Sequence, residues 1–302
     1  MAPLIHRILV AIDFSPESDA ALAQALVLAR QQSASITLAH VVPLPADLVE
    51  DSAYDPLFRV GSLAELTTEH RSGARDLLRQ ITERCRAEGV ACDITLLDDA
   101  PSDGLARAAE DVGADLIAIG THGRTGIKRV MLGSVAERTV RLAPCSTLVA
   151  RGSIDPDHGF RRILVATDFS RHADAALDAA LAIARPEAAI EVVHCWQQPL
   201  VPAGMPISSM RRDLEKNVAE AGARLLRERD AGRARFVGVE GYPAEGIRAR
   251  AEDTGADLIC LGSHGRRGVR RWLLGSIAET TVRHAPCSVL VVRLPGEQGE
   301  HG

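Results

Sequence analysis

Along the chain, apolar residues fall into two alternating rhythms. Ile8 to Ile12 is a short β-branched run closed by Asp13, and from Pro16 to Arg30 the apolar positions recur at helical spacing. Ser15 stands as the N-cap of that helix, with Pro16 at its first position. Ile36 to Val42 predicts a second strand, Leu63 to Glu88 a long amphipathic helix, and Cys92 to Leu97 a third strand. Ser102 to Asp111 predicts a helix, Leu116 to Ile119 a fourth strand, Gly133 onward another helix, and Ser146 to Ala150 a fifth strand. Strand and helix in alternation predict an α/β fold of the Rossmann-like, doubly wound kind, a mainly parallel sheet with helices on both faces. In such sheets ligands bind beyond the carboxyl ends of the strands, where the strand order reverses. Asp13 and Gly120 fall at two of those ends.

The pattern then repeats. Residues 7 to 29, RILVAIDFSPESDAALAQALVLA, match residues 162 to 184, RILVATDFSRHADAALDAALAIA, without a gap. Residues 113 to 151 match residues 255 to 293 in the same way, from GADLIAIGTHG and GADLICLGSHG to the two final strands. The intervening stretches, 43 to 100 and 197 to 240, differ in length and barely resemble each other. Two tandem domains follow, 1 to 151 and 161 to 294, joined by a linker, Gly152 to Phe160, that carries Gly, Pro and Asp without apolar periodicity. Nine residues span about 30 Å at most, so the domains are neighbours. Ser146 to Ala150 and Ser288 to Val292 are apolar edge segments, and their mutual pairing would cover both. The expected assembly is an intrachain pseudo-dimer, with a further homodimer left open.

Composition narrows the function. A chain of 302 residues suits two domains, and 46% apolar with 25% charged residues is ordinary for a soluble fold. A net charge of −5, a pI near 6.1 and only 3% aromatics argue against nucleic acid, which needs clustered cations or stacking platforms. No apolar run reaches the roughly 20 residues that cross a membrane, and the N-terminus enters its first strand without an export signal. A cytoplasmic protein is expected. The six cysteines form no C-x-x-C pair and no zinc spacing, which predicts packed, reduced thiols.

Candidate chemistry sits on a glycine loop. After the fourth strand comes Gly120-Thr-His-Gly123, nine further residues, then Gly133-Ser134 at a helix start. The second half has Gly262-Ser-His-Gly265, nine residues, and Gly275-Ser276. Glycines at a strand end and a helix start let backbone amides converge on a phosphate, and the helix dipole adds to the field. Lys128, Arg129, Arg266, Arg267, Arg270 and Arg271 add cations within the loops. An alternative needs no ligand: Ser134-Val-Ala-Glu137 and Ser276-Ile-Ala-Glu279 read as capping boxes. Asp13 and Asp168, ending the first strand of each half, suit ribose hydroxyls or hydrated Mg²⁺, or else a helix start. His122 and His264 read as exposed loop residues without assigned chemistry.

Together these features resemble the universal stress protein family, whose ATP-binding members carry G-x-x-G, nine residues, then G-[S/T]. The resemblance covers nearly the whole chain. It implies five-stranded sheets, phosphates at Gly123, Gly133 and Ser134 and at Gly265, Gly275 and Ser276, and ribose near Asp13 and Asp168. It also implies that backbone at Val41 meets adenine, with Cys195 at the matching second-half position. Asp99-Ala-Pro101 departs from the family pattern, whereas Gly241-Tyr-Pro243 keeps it. The implied function is ATP binding, with Mg²⁺, in a stress-response or regulatory protein. With no G-x-x-x-x-G-K-[S/T] loop and no repeated nucleophile, an enzyme is not expected, slow hydrolysis being left open. The rivals are a slow ATPase or adenylate-transferring enzyme and a ligand-free scaffold.

Overall fold

The computed structural model describes residues 5–42, 56–123, 132–197, 207–265 and 274–294, with backbone alone at 56–67 and 207–209. The first half runs β1 (Arg7–Ala11), α1 (Pro16–Gln32), β2 (Ser35–Val41), α2 (Pro56–Ala87) and β3 (Cys92–Leu97). It continues with α3 (Pro101–Asp111), β4 (Leu116–Gly120), α4 (Ser134–Leu142) and β5 (Ser146–Ala150). The second half repeats the order: β6 (Arg162–Ala166), α5 (Arg171–Ile183), β7 (Ala189–Trp196), α6 (Ile207–Glu228) and β8 (Ala234–Glu240). It ends with α7 (Pro243–Thr254), β9 (Leu258–Gly262), α8 (Ser276–His284) and β10 (Ser288–Val292). These elements follow the sequence rhythms closely, and the predicted N-cap forms: the Ser15 side chain accepts from the Ser18 amide.

All ten strands join in one sheet, ordered β3-β2-β1-β4-β5-β10-β9-β6-β7-β8. Every pairing is parallel except the central one, where β10 runs antiparallel to β5. In that register Leu290 faces Leu148, Val289 faces Val149 and Val291 faces Thr147. Leu290 is the repeat counterpart of Leu148, so a pseudo-twofold axis passes through this pair, and the contact is self-complementary in the manner of a symmetric dimer. The expected pairing of the fifth strands is therefore present within one chain.

The period-two alternation of the strands divides the apolar residues between the faces. Ile8, Val10, Leu116, Leu148, Ile163 and Leu290 pack beneath α1, α2, α5 and α6. Leu9, Ile117, Val149, Leu164 and Val289 pack beneath α3, α4, α7 and α8. Each core is continuous across both halves, because the central strand pair carries it over the boundary. Asp115 accepts from the amides of His6 and Arg7 at 2.7 and 2.9 Å, and Asp257 does the same for Arg161 and Arg162 at 2.8 and 3.1 Å. These carboxylates fix the start of β1 against β4 and of β6 against β9.

The segment after β5 is ordered by local bonds. Asp155 accepts from the amides of Asp157 and His158 at 3.0 and 3.1 Å, and Phe160 is buried. Buried Gln24 of α1 spans the boundary: it accepts from Ser288 Oγ at 2.9 Å and donates to the Gly152 carbonyl at 3.3 Å. The Arg151 amide also donates to Ser288 Oγ at 3.0 Å.

Ser288→Ala strands the Gln24 oxygen without a partner, and we expect it to cost about 1 to 3 kcal/mol of stability in urea melts. Adding Gln24→Leu removes the stranded oxygen and should recover part of that loss.

Candidate functional site

Both halves finish their first strand with the same turn. The Asp13 carboxylate accepts from Ser15 through its amide, at 3.1 Å, and its hydroxyl, at 2.5 Å; Asp168 accepts from the Ser170 amide at 3.0 Å. The next residues, Phe14 and Phe169, have φ of 63° and 61°, a left-handed conformation that a bulky side chain adopts at a cost of about 1 to 3 kcal/mol. Each ring is held by a histidine of the second strand. Phe14 and His40 have centroids 4.7 Å apart, and Phe169 and His194 4.6 Å. His40 Nδ1 lies 2.7 Å from the Ile12 carbonyl and His194 Nδ1 2.7 Å from that of Thr167. A carbonyl only accepts, so Nδ1 carries the proton in both rings. These histidines position the aspartate turn. Sequence reasoning missed them, although a histidine near the end of the second strand in both halves was a signal.

The strained turn aims each carboxylate at the glycine loop. A Cβ placed on Gly123 would lie 2.6 Å from Asp13 Oδ2, and one on Gly265 2.6 Å from Asp168 Oδ2. Gly133 and Gly275 are also required by close approach. Their amides donate to the carbonyls of Thr121 and Ser263 at 2.8 and 2.9 Å, and a Cβ would come within 3.1 and 3.2 Å of the same oxygens. Gly120 and Gly262 carry a packing constraint of their own. A Cβ on Gly120 would collide with the Glu17 backbone at 2.7 Å, and one on Gly262 with the His172 backbone at 2.8 Å. These two glycines let the first turns of α1 and α5 pack on the strand ends.

The capping-box reading is corrected by the helix starts. The N-caps of α4 and α8 are Gly133 and Gly275, with no side-chain capping bond, and Ser134 and Ser276 are the first helical residues. A serine one position inside the helix cannot reach forward to the amides that a cap satisfies. Both serines are exposed. The glutamates of the supposed boxes are engaged elsewhere: Arg283 lies 3.0 Å from Glu137 and 3.2 Å from Glu279, and Arg141 3.6 Å from each.

Around these elements the first half encloses a cavity of about 840 Å³ at the carboxyl ends of β1, β2 and β4. It brings Asp13, Val41, Gly120, Gly123, Gly133 and Ser134 to one space, with an apolar wall that includes Ala39, Leu105 and Ile119. Its far rim is Asp98, Asp99, Ala100 and Pro101. Asp98 pairs with Arg71, and Asp99 with Arg107 at 2.7 Å. His122 also lines the cavity. It is half-buried rather than exposed, its Nδ1 lies 3.1 Å from Thr121 Oγ1, and its Nε2 is buried without a partner. His264 is half-buried as well, and its Nδ1 lies 3.1 Å from Ser263 Oγ. The loop cations Lys128, Arg129, Arg266, Arg267, Arg270 and Arg271 lie outside the described residues.

In the second half the same aspartate, glycine and serine positions recur in the geometry given above. Cys195 differs from Val41 in kind but leaves its backbone in place: its thiol turns toward α7, 3.7 Å from the Pro243 carbonyl and 2.7 Å from where a Gly246 Cβ would stand. Burial pushes that thiol up to about 11, which keeps it protonated and unreactive. At the rim, Gly241 and the exposed Tyr242 replace Asp99 and Ala100, and Glu240 pairs with Arg211 at 2.7 Å. Among the described residues no cluster of three or more His, Cys, Asp or Glu could hold a metal, and no helix is long and apolar enough to cross a membrane.

The sequence pattern of the universal stress protein family matches residues 5–151 and again residues 159–293. The chain belongs to the universal stress protein family. It is similar to a universal stress protein of Mycolicibacterium smegmatis, 29% identical over 302 residues, with 95% of this chain and 97% of that one covered. A universal stress protein of Mycobacterium tuberculosis is 27% identical over 294 residues, with the same coverage. Among solved structures, a universal stress protein from Archaeoglobus fulgidus covers 95% of this chain and 98% of its own, with a TM-score of 0.64 at 22% identity. That likeness concerns the fold. Both halves of this universal stress protein thus carry the family's Rossmann-like α/β architecture.

The two kinds of glycine predict different penalties. Gly120→Ala presses on helix backbone, so we expect a loss of about 1 to 3 kcal/mol in thermal or urea unfolding. Among the described residues Gly123→Ala meets only the end of the Asp13 side chain, which can swing aside, so its stability loss should be well under that of Gly120→Ala.

Proposed function

We propose that this universal stress protein binds an adenine nucleotide, ATP with Mg²⁺, as a regulatory or stress-response protein of the cytoplasm rather than as an enzyme. The observation that carries the reading is the first-half cavity, which joins a helix start, an aspartate and an apolar wall in one space. At its glycine end, the amides that open α4 have no side-chain cap, and the exposed Ser134 hydroxyl is beside them. Free helix-start amides with a positive dipole end suit the phosphates. Asp13, turned into the cavity, accepts ribose hydroxyls or holds a hydrated Mg²⁺ whose remaining ligands are phosphate oxygens and water. The apolar wall and the backbone at Val41 take the base. A size of about 840 Å³ is in the range of small-molecule sites.

The second half offers Asp168, Cys195, Gly262, Gly265, Gly275 and Ser276 for the same roles, so two nucleotides per chain are proposed. Neither half carries a G-x-x-x-x-G-K-[S/T] loop or, beyond the single aspartate, a repeated pair of carboxylate and nucleophile, so we expect turnover to be slow or absent. Nucleotide occupancy would then act by biasing the shape or the partners of the protein. Mass spectrometry of small molecules released from the purified protein by heat would identify the ligand directly.

Gly133→Glu is a poor probe, because any Cβ there strains against the Thr121 carbonyl. Ser134→Glu separates the possibilities. A carboxylate at the first helical position favours the bare helix, so the melting temperature should hold or rise slightly. The same charge occupies the phosphate end, and first-site MgATP affinity should fall at least about fivefold in calorimetric titration, since a like charge in contact costs about 1 kcal/mol or more. A stable Ser134→Glu protein that binds MgATP at both sites as tightly as the parent would refute the reading.

A further inference from the structure

α4 and α8 are joined by charge across the pseudo-twofold axis, the first turn of each meeting the last turn of the other. Glu137, Arg141, Glu279 and Arg283 form one quartet in which Arg283 touches both acids, at 3.0 and 3.2 Å, and Arg141 stands 3.6 Å from each. Glu279 and Arg283 are the repeat counterparts of Glu137 and Arg141. Each acid is one helical turn from a glycine of the proposed phosphate ends: the Glu137 amide donates to the Gly133 carbonyl at 3.0 Å, and the Glu279 amide to that of Gly275 at 2.9 Å. The four side chains are between 27% and 39% exposed, so water and salt screen them only in part. The quartet holds two positive and two negative charges and is neutral as a unit.

A carboxylate one turn inside a helix opposes a phosphate docked at its start, unless a cation balances it. Here the cation nearest to Glu137 comes from the other half. We propose that the quartet is a shared electrostatic determinant of both anion sites, so that an arginine of one half sets the phosphate affinity of the other. This rests on the nucleotide reading. Neither arginine is given a contact with the ligand; they act by holding the acids neutralised. Loss of one arginine leaves a net negative charge on the quartet, about one turn from each helix start, and should weaken both sites. Loss of one glutamate leaves a net positive charge and should strengthen both.

The test is calorimetric titration of the full chain with MgATP and, separately, with inorganic tripolyphosphate, at low and at high ionic strength, with thermal melts alongside. For a unit charge roughly 8 to 10 Å from the phosphates, Arg283→Gln should weaken both sites by about three- to tenfold at low salt and much less at high salt. Adding Glu137→Gln should restore the affinity, and Arg283→Lys should retain it. If Arg283→Gln fails to fold, Arg141→Gln provides the same charge change from the other half. Unchanged affinities in the arginine variant, a loss confined to the second-half site, or a loss that Glu137→Gln does not relieve would each overturn the shared role while leaving nucleotide binding in place. A parent protein that takes up neither ligand would overturn the nucleotide reading and the quartet's role with it.

Discussion

The antiparallel junction of β5 with β10 supports everything else in the molecule. A five-stranded parallel sheet ending on Ser146–Ala150 would present a row of unpaired amides and carbonyls beside a fully apolar edge, and the second half would do so at Ser288–Val292. Joined, the two edges satisfy each other's backbone, and the side chains above and below merge the two halves into one core on each face. Burial at Leu148 and Leu290 is complete or nearly so, which leaves little room for the sheet to slip in register without exposing apolar area. The junction also decides which helices meet. α4 and α8 meet across it through Glu137, Arg141, Glu279 and Arg283, while the opposed strand directions set the proposed phosphate ends at opposite edges of the sheet.

Much of this was legible in the sequence because it is written in periodicity. Ile8 to Ile12 and its counterpart alternate as half-sheet strands must, and the gapless matches exposed the duplication without any structural knowledge. The helix from Pro16 announced itself by a serine and a proline at its head. The edge strands told where the halves would meet, since apolar residues on an open edge demand a partner.

What was not legible depends on contacts between distant segments. Ser134-Val-Ala-Glu137 has the spacing of a capping box, but spacing does not say which residue is the first helical one. The Gly133 amide bond to Thr121 shifts the start by one position, and Arg283 claims the glutamate from a place 146 residues away. The glycines looked alike in sequence, yet Gly120 faces helix backbone whereas Gly123 faces a carboxylate. Nothing local reveals that Phe14 adopts a left-handed conformation, because a phenylalanine avoids it unless the surroundings, here His40, insist. Val41 and Ser134 could be placed near one another only through the strand order.

The ordered segment from Gly152 to Phe160 changes how the two halves can diverge. In a dimer of identical chains every substitution is inherited twice, so an interface or a pocket must tolerate each change on both sides of its axis. Covalent joining ends that obligation, and it holds the partners at an effective concentration that no dilution removes. Gln24 has already used this freedom: its counterpart position in the second half is Ala179, and the hydrogen bonds it makes to Ser288 and Gly152 exist on one side only. The rims have used it too, with Asp99 and Ala100 in one half and Gly241 and Tyr242 in the other. A single gene can therefore carry two halves with different side chains at corresponding places inside an assembly that remains, in its backbone, a symmetric pair.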